Sequence, residues 1–114
     1  MTPPAVVRIA GRLTARGARL TRVVVTAPRG ATIGIRCSGS RCPATLVRLV
    51  SRGTAMRFHR FERQLPAHTI LRVRVTRSGF VGKYTRFEIR KGRLPRRTDA
   101  CLSPAGALVV CPTG

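Results

Sequence analysis

The chain has 114 residues, 43% of them hydrophobic, and sets 23 lysine and arginine side chains against 3 acidic ones, for a formal charge of +20. That length fits one domain with one core, burying about two-thirds of the surface the unfolded chain exposes, and its apolar content excludes the composition of a disordered chain. It contains no run of 18 apolar residues, so no segment reads as a membrane-crossing helix, and the N-terminus lacks the apolar stretch of a signal peptide.

Residues 1–4, Met1, Thr2, Pro3 and Pro4, read as a linker in front of the domain, which is expected to span residues 5–111 and to leave 112–114 as a tail. Apolar and polar side chains then alternate with period two, the signature of half-buried strands. Val7, Ile9 and Leu13 point one way and Arg8 and Arg12 the other; a Leu20 to Thr26 run follows, and then Ile33, Ile35 and Cys37 stand against Arg36. Val47 and Leu49, Met56 and Phe58, Leu71 to Val75, and Phe87 with Ile89 against Arg86, Glu88 and Arg90 continue the pattern. Gly17, Gly30, Gly39, Gly53, Pro66, Gly79, Gly92 and Gly106 punctuate it at intervals of about 13 residues, as turns between strands do. Only Ala44 to Arg52 can be argued as a short helix, because glycine, proline or β-branched residues interrupt the other windows. The expected fold is all-β: an antiparallel sandwich of about seven strands of the immunoglobulin or fibronectin kind, with a small barrel as the alternative. The absence of tryptophan argues against an antibody-type core.

Four cysteines fall as two close pairs, Cys37 with Cys42 and Cys101 with Cys111, separated by 59 residues. Two local disulfides are the natural reading, each worth about 2 to 3 kcal/mol of loop entropy. A zinc site is the rival, although the two-residue spacing of zinc knuckles is missing. Disulfides imply an oxidising location outside the cytoplasm, secreted or at the cell surface.

The run Ile35 to Pro43 with its two cysteines, the strand Leu71 to Thr76, and the stretch Gly79 to Arg90 followed by Gly92, Pro95, Asp99, Cys101 and Leu102 resemble β-sandwich modules of large secreted proteins from GC-rich soil actinobacteria. The resemblance covers about residues 18 to 111 and implies an extracellular module. It lends no activity and no binding residues.

Catalysis finds little support in the residues. The carboxylates are Glu62, Glu88 and Asp99. Glu88 lies between Arg86 and Arg90 and is expected in a solvated pair with a neighbouring-strand arginine, Glu62 likewise beside Arg60 and Arg63, and Asp99 is expected to cap a turn. His59 and His68 read as surface histidines without partners, and no serine elbow, phosphate loop or dinucleotide fingerprint occurs. Gly79 to Gly82 reads as a hairpin turn with an apolar plug rather than a phosphate cradle, since no helix follows. Of Phe58, Phe61, Phe80, Tyr84 and Phe87, at least three are needed in the core, which leaves few for a base-stacking platform. No cofactor, metal or small-molecule substrate is expected.

The charge offers the remaining functional signal. Arginine outnumbers lysine 21 to 2, which suits bidentate recognition of phosphate, sulfate or carboxylate and also matches the codon usage of a GC-rich genome. Arg8, Arg12, Arg36, Arg48, Arg72, Arg74, Arg86 and Arg90 are predicted to point outward as ladders able to hold nucleic acid or anionic wall polymer. Three functional classes follow. The first is a structural or adhesive module of the cell exterior, able to join neighbouring modules or copies of itself through edge strands such as Val6 to Leu13. The second is a polyanion binder. The third, an intracellular nucleic-acid binder, is disfavoured by the cysteines.

Overall fold

A computed structural model describes residues 4–111. The chain runs β1 (Val6–Thr14), β2 (Gly17–Thr26), β3 (Thr32–Ser38), β4 (Leu46–Val50), β5 (Met56–Arg57), β6 (Gln64–Pro66), β7 (Ile70–Thr76), β8 (Gly82–Glu88), β9 (Arg96–Leu102) and β10 (Leu108–Val109), with one 3-10 turn at His59–Phe61 before β6. Seven of these strands have five residues or more, and β5, β6 and β10 have two or three. They form two antiparallel sheets, one in the order β1-β2-β5 with β6 also on β2, the other in the order β10-β9-β8-β7-β3-β4. The sheets pack face to face as a sandwich and do not close into a barrel. The segment Ala44 to Arg52 contributes β4 and no helix: its Val47 lies against the core beside Ile35 of β3, as a strand's period requires. Residues 1–3 of the expected linker 1–4, and the expected tail 112–114, lie outside the described residues.

Period two makes this fold, because each core strand turns one apolar row toward the opposite sheet. Ile33, Ile35 and Cys37 of β3, Leu71, Val73 and Val75 of β7, and Phe87 of β8 meet Val7 of β1 and Ala18, Leu20, Val23 and Val25 of β2. Leu20 and Val23 both face inward although three residues apart, which a regular strand forbids. A bulge resolves this: Ala10 pairs Arg22 and Gly11 pairs Leu20, leaving Thr21 unpaired and shifting the parity of β2. Leu13 also faces inward, but it is 43% exposed where the sandwich opens, beside Leu20 and Leu94 in a groove of about 240 Å³.

The punctuating glycines sit where turns demand them. Gly30, Gly53, Gly79 and Gly106 have φ between 80° and 90°, which L side chains rarely adopt. Gly17 is different: it opens β2, where an added Cβ would collide with the Leu65 carbonyl oxygen, so it permits the close approach of β6. Both cysteine pairs are disulfides, Cys37–Cys42 and Cys101–Cys111, and no cysteine is free. They fit an oxidising environment. Among the described residues, no helix is long and apolar enough to cross a membrane.

Among the aromatics, Phe58, Phe61 and Phe87 enter the core. Phe80 does not plug the β7–β8 turn: it is 45% exposed, with the Arg77 guanidinium 5.3 Å from its ring centre. A stacking platform of five aromatics is therefore not assembled.

Candidate polyanion interface

The outward face of the six-stranded sheet carries a compact arginine field. Register places Leu46, Arg36, Arg72, Arg86 and Thr98 in one row across five strands, and Arg48, Gly34, Arg74, Tyr84 and Ala100 in the next. Neighbouring strands lie about 4.8 Å apart, so arginines directly opposite one another repel. Arg36, Arg72 and Arg86 stand side by side in this way, each on its own strand.

At Gly34 the second row loses its side chain. An added Cβ there would meet only Leu46 Cδ1, at 3.9 Å. The result is a shallow hollow of about 360 Å³, floored by Gly34 and walled by Arg36, Arg48, Arg72 and Arg74, with Thr32 and Thr76 at one end. Among the described residues, no carboxylate lines it. Two of its arginines are oriented by neighbours: Arg72 donates to Ser38 Oγ at 3.2 Å, and the Arg74 guanidinium lies 5.5 Å from the ring centre of Tyr84. Tyr84 faces outward on its strand yet is almost fully buried, a flat floor under that guanidinium. Five donors per fork, held over a recess, suit bidentate capture of phosphate or sulfate oxygens.

Five of the eight sequence candidates thus share one face: Arg36, Arg48, Arg72, Arg74 and Arg86. Arg8 and Arg12 belong to β1 in the other sheet, opposite Val24 and Arg19. Arg90 follows β8 and donates to the Leu94 carbonyl at 3.0 Å, which turns it into a loop brace. Gly34 is not among the eight arginine-based candidates. Its signal was a glycine in the outward register between Ile33 and Ile35, with arginines predicted on the strands beside it.

All three acidic side chains are paired with cations, partly with chain neighbours and partly with residues that the fold brings up. Glu62 pairs not with Arg60 or Arg63 but with Arg57, whose Nη2 lies 2.9 Å from Oε1, and with His59 Nδ1 at 2.9 Å; its other oxygen accepts the Val23 amide at 3.0 Å. The Glu62 side chain is only 8% exposed while its cationic partners reach into solvent, so the carboxylate is covered more than expected, and His59 has the partner expected to be missing. Asp99 caps no turn. It sits in β9 opposite Thr85, accepts that hydroxyl at 2.9 Å, and pairs with Arg97 at 2.8 Å and Lys83 at 3.3 Å. Arg97 in turn reaches the Val7 carbonyl at 2.7 Å and lies 5.3 Å from the Phe87 ring centre, tying β9 to β1. Glu88 pairs with Arg86 of its own strand at 3.4 Å. His68 is an exposed turn residue with φ 73°.

Hydrogen bonds from Arg57 hold Glu62 down to about 2 from 4.5, and those from Arg97 hold Asp99 down to about 2 from 3.8. Both pKa values are depressed by folding. Their stabilisation is therefore complete above the unfolded values and lost as pH falls through the folded ones. The melting temperature is expected to fall steadily between about pH 4.5 and 2. Glu62→Gln is expected to lower it by about 5 °C at pH 7 and to flatten its acid dependence in that window, as read by circular dichroism melts across pH.

No family profile, curated protein or solved structure matches the chain.

Proposed function

We propose that the protein is a non-catalytic extracellular β-sandwich module, structural or adhesive in role, that grips an anionic polymer through the arginine face of its six-stranded sheet. The observation that carries this reading is the hollow at Gly34, where four guanidinium-bearing side chains from β3, β4 and β7 line one recess with no carboxylate among the described residues. Clustering like charges costs free energy unless an anion offsets it. A sheet face spaces its charges regularly but offers no groove shaped to base edges, so the partner is a repeating anion, nucleic acid or anionic wall polymer, held with little sequence preference. The two disulfides support secretion, and occupation of all three carboxylates by cations supports a non-enzymatic role. The module is in this reading akin to secreted actinobacterial modules and to immunoglobulin-type sandwiches, supported by the runs Ile35 to Pro43 and Gly79 to Arg90 and by the two packed sheets.

A salt titration tests it. Binding to duplex DNA, followed by fluorescence anisotropy, is expected to weaken with log Kd rising about 3 to 4 per decade of salt if most of the face engages phosphates. A neutral glycan is expected not to bind. Equal binding to the glycan, or a slope near zero, would overturn the polyanion reading and leave a purely structural module.

A further inference from the structure

A second arginine cluster forms at one end of the sandwich and shares no residue with the sheet face. Arg16 comes from the β1–β2 turn, Arg41 from the Cys37–Cys42 loop and Arg63 from the link between the 3-10 turn and β6; with Gln64 and Pro66 they line a cavity of about 290 Å³. Their chain positions are far apart, and the fold brings them together.

Two of the three arginines are fixed by backbone pairing. The Arg16 carbonyl accepts the Ala67 amide at 2.7 Å, and the Arg63 carbonyl accepts the Leu20 amide at 3.0 Å. Gln64 donates to Thr14 Oγ1 at 2.7 Å and so ties the link to the end of β1. Arg41 depends on the disulfide loop. Cys37 is buried on the inward row of β3, its amide donates to the Thr45 carbonyl at 3.0 Å, and the loop's Gly39 lies against Thr69, where an added Cβ would come within 3.3 Å of its Cα. Closure of Cys37 with Cys42 holds the loop, and with it Arg41, over the cavity.

None of the three arginines takes part in an ion pair among the described residues, and the nearest carboxylate in sequence, Glu62, is committed to Arg57 and His59. Three uncompensated cations around one recess favour a compact anion that several guanidinium forks can reach together. We propose that this cavity binds a single oxoanion of the phosphate or sulfate class, such as a terminal monoester group, and that the site is complete only while the Cys37–Cys42 bond is intact.

Nuclear magnetic resonance of the full chain titrated with inorganic phosphate and, separately, sodium sulfate tests this. The side-chain Nε–Hε signals of Arg16, Arg41 and Arg63 are expected to move together and saturate with one dissociation constant. Arg41→Ala, an exposed position, is expected to weaken that constant about tenfold, and Cys37→Ala with Cys42→Ala by a similar factor. Arg72→Ala with Arg74→Ala, which dismantles the sheet face, is expected to leave it unchanged. Three signals that never saturate, or an affinity indifferent to Arg41→Ala, would overturn the site. Loss in the Arg72 and Arg74 variant to the same degree would reduce it to general charge attraction.

Discussion

Arg72→Glu with Arg74→Glu is expected to weaken polyanion binding at least a hundredfold at low salt and to reduce the salt slope by about 2. Each arginine lost removes a charge-assisted bond worth about 1.5 to 3 kcal/mol, and each glutamate adds repulsion in the same hollow, so two exchanges exceed about 3 kcal/mol, more than a hundredfold in affinity. Both side chains line the hollow on the solvent side of β7. Folding is therefore expected to survive with a loss near 1 kcal/mol, chiefly from the Arg74 contact with Tyr84. Arg8→Glu with Arg12→Glu changes net charge by the same amount on the other sheet and is the matched control. Its affinity is expected to stay within a few-fold of wild type. Anisotropy titrations of the three proteins decide the matter: equal losses in both double variants would mean that net charge, not this face, does the binding.

Phe61→Ala is expected to cost about 3 to 5 kcal/mol and to lower the melting temperature by about 15 °C or more. Phe61 is fully buried in the core cluster although it sits in a 3-10 turn that forms part of neither sheet. That turn lies against β2, where the Phe58 amide donates to the Val23 carbonyl at 2.9 Å and Glu62, just after the turn, accepts the Val23 amide at 3.0 Å, so the turn that carries the ring is anchored at both ends. Removing the ring leaves a cavity in the core that the surrounding packed side chains fill only in part. Against a total stability of about 5 to 15 kcal/mol, this is a large share. Phe80→Ala, at the exposed tip of the β7–β8 turn, is expected to cost less than about 1 kcal/mol. Chemical denaturation of both variants separates them; similar midpoints would show that the 3-10 turn is not an integral part of the core.

Much of the fold was legible because period two and glycine placement are local properties. The rows Ile33, Ile35, Cys37 and Leu71, Val73, Val75 had to share one face, and the turn glycines marked where strands end. Cysteines five and ten residues apart could reach each other without knowledge of the rest of the chain. The bulge at Thr21 was not legible, since the run Leu20 to Thr26 is apolar enough to alternate in either phase.

For the site, the residue types were legible and the assembly was not. Outward arginines follow from alternation alone, yet which of them become neighbours depends on strand order. The pairing of β3 with β7, distant in sequence, puts Arg36 beside Arg72, while β1 carries Arg8 and Arg12 to the other sheet. Charge partners likewise depend on what crosses in space: Glu62 found Arg57 and the Val23 amide rather than Arg60 or Arg63, and Asp99 added Lys83 and the Thr85 hydroxyl from the neighbouring strand to its chain neighbour Arg97. The amino-acid order alone determined an oxidised, two-faced β chain rich in outward guanidinium, because alternation and short loops act within a few residues. Only the tertiary structure decided where that charge concentrates and where Gly34 opens a recess within it, because strand order and register join positions that the chain keeps far apart.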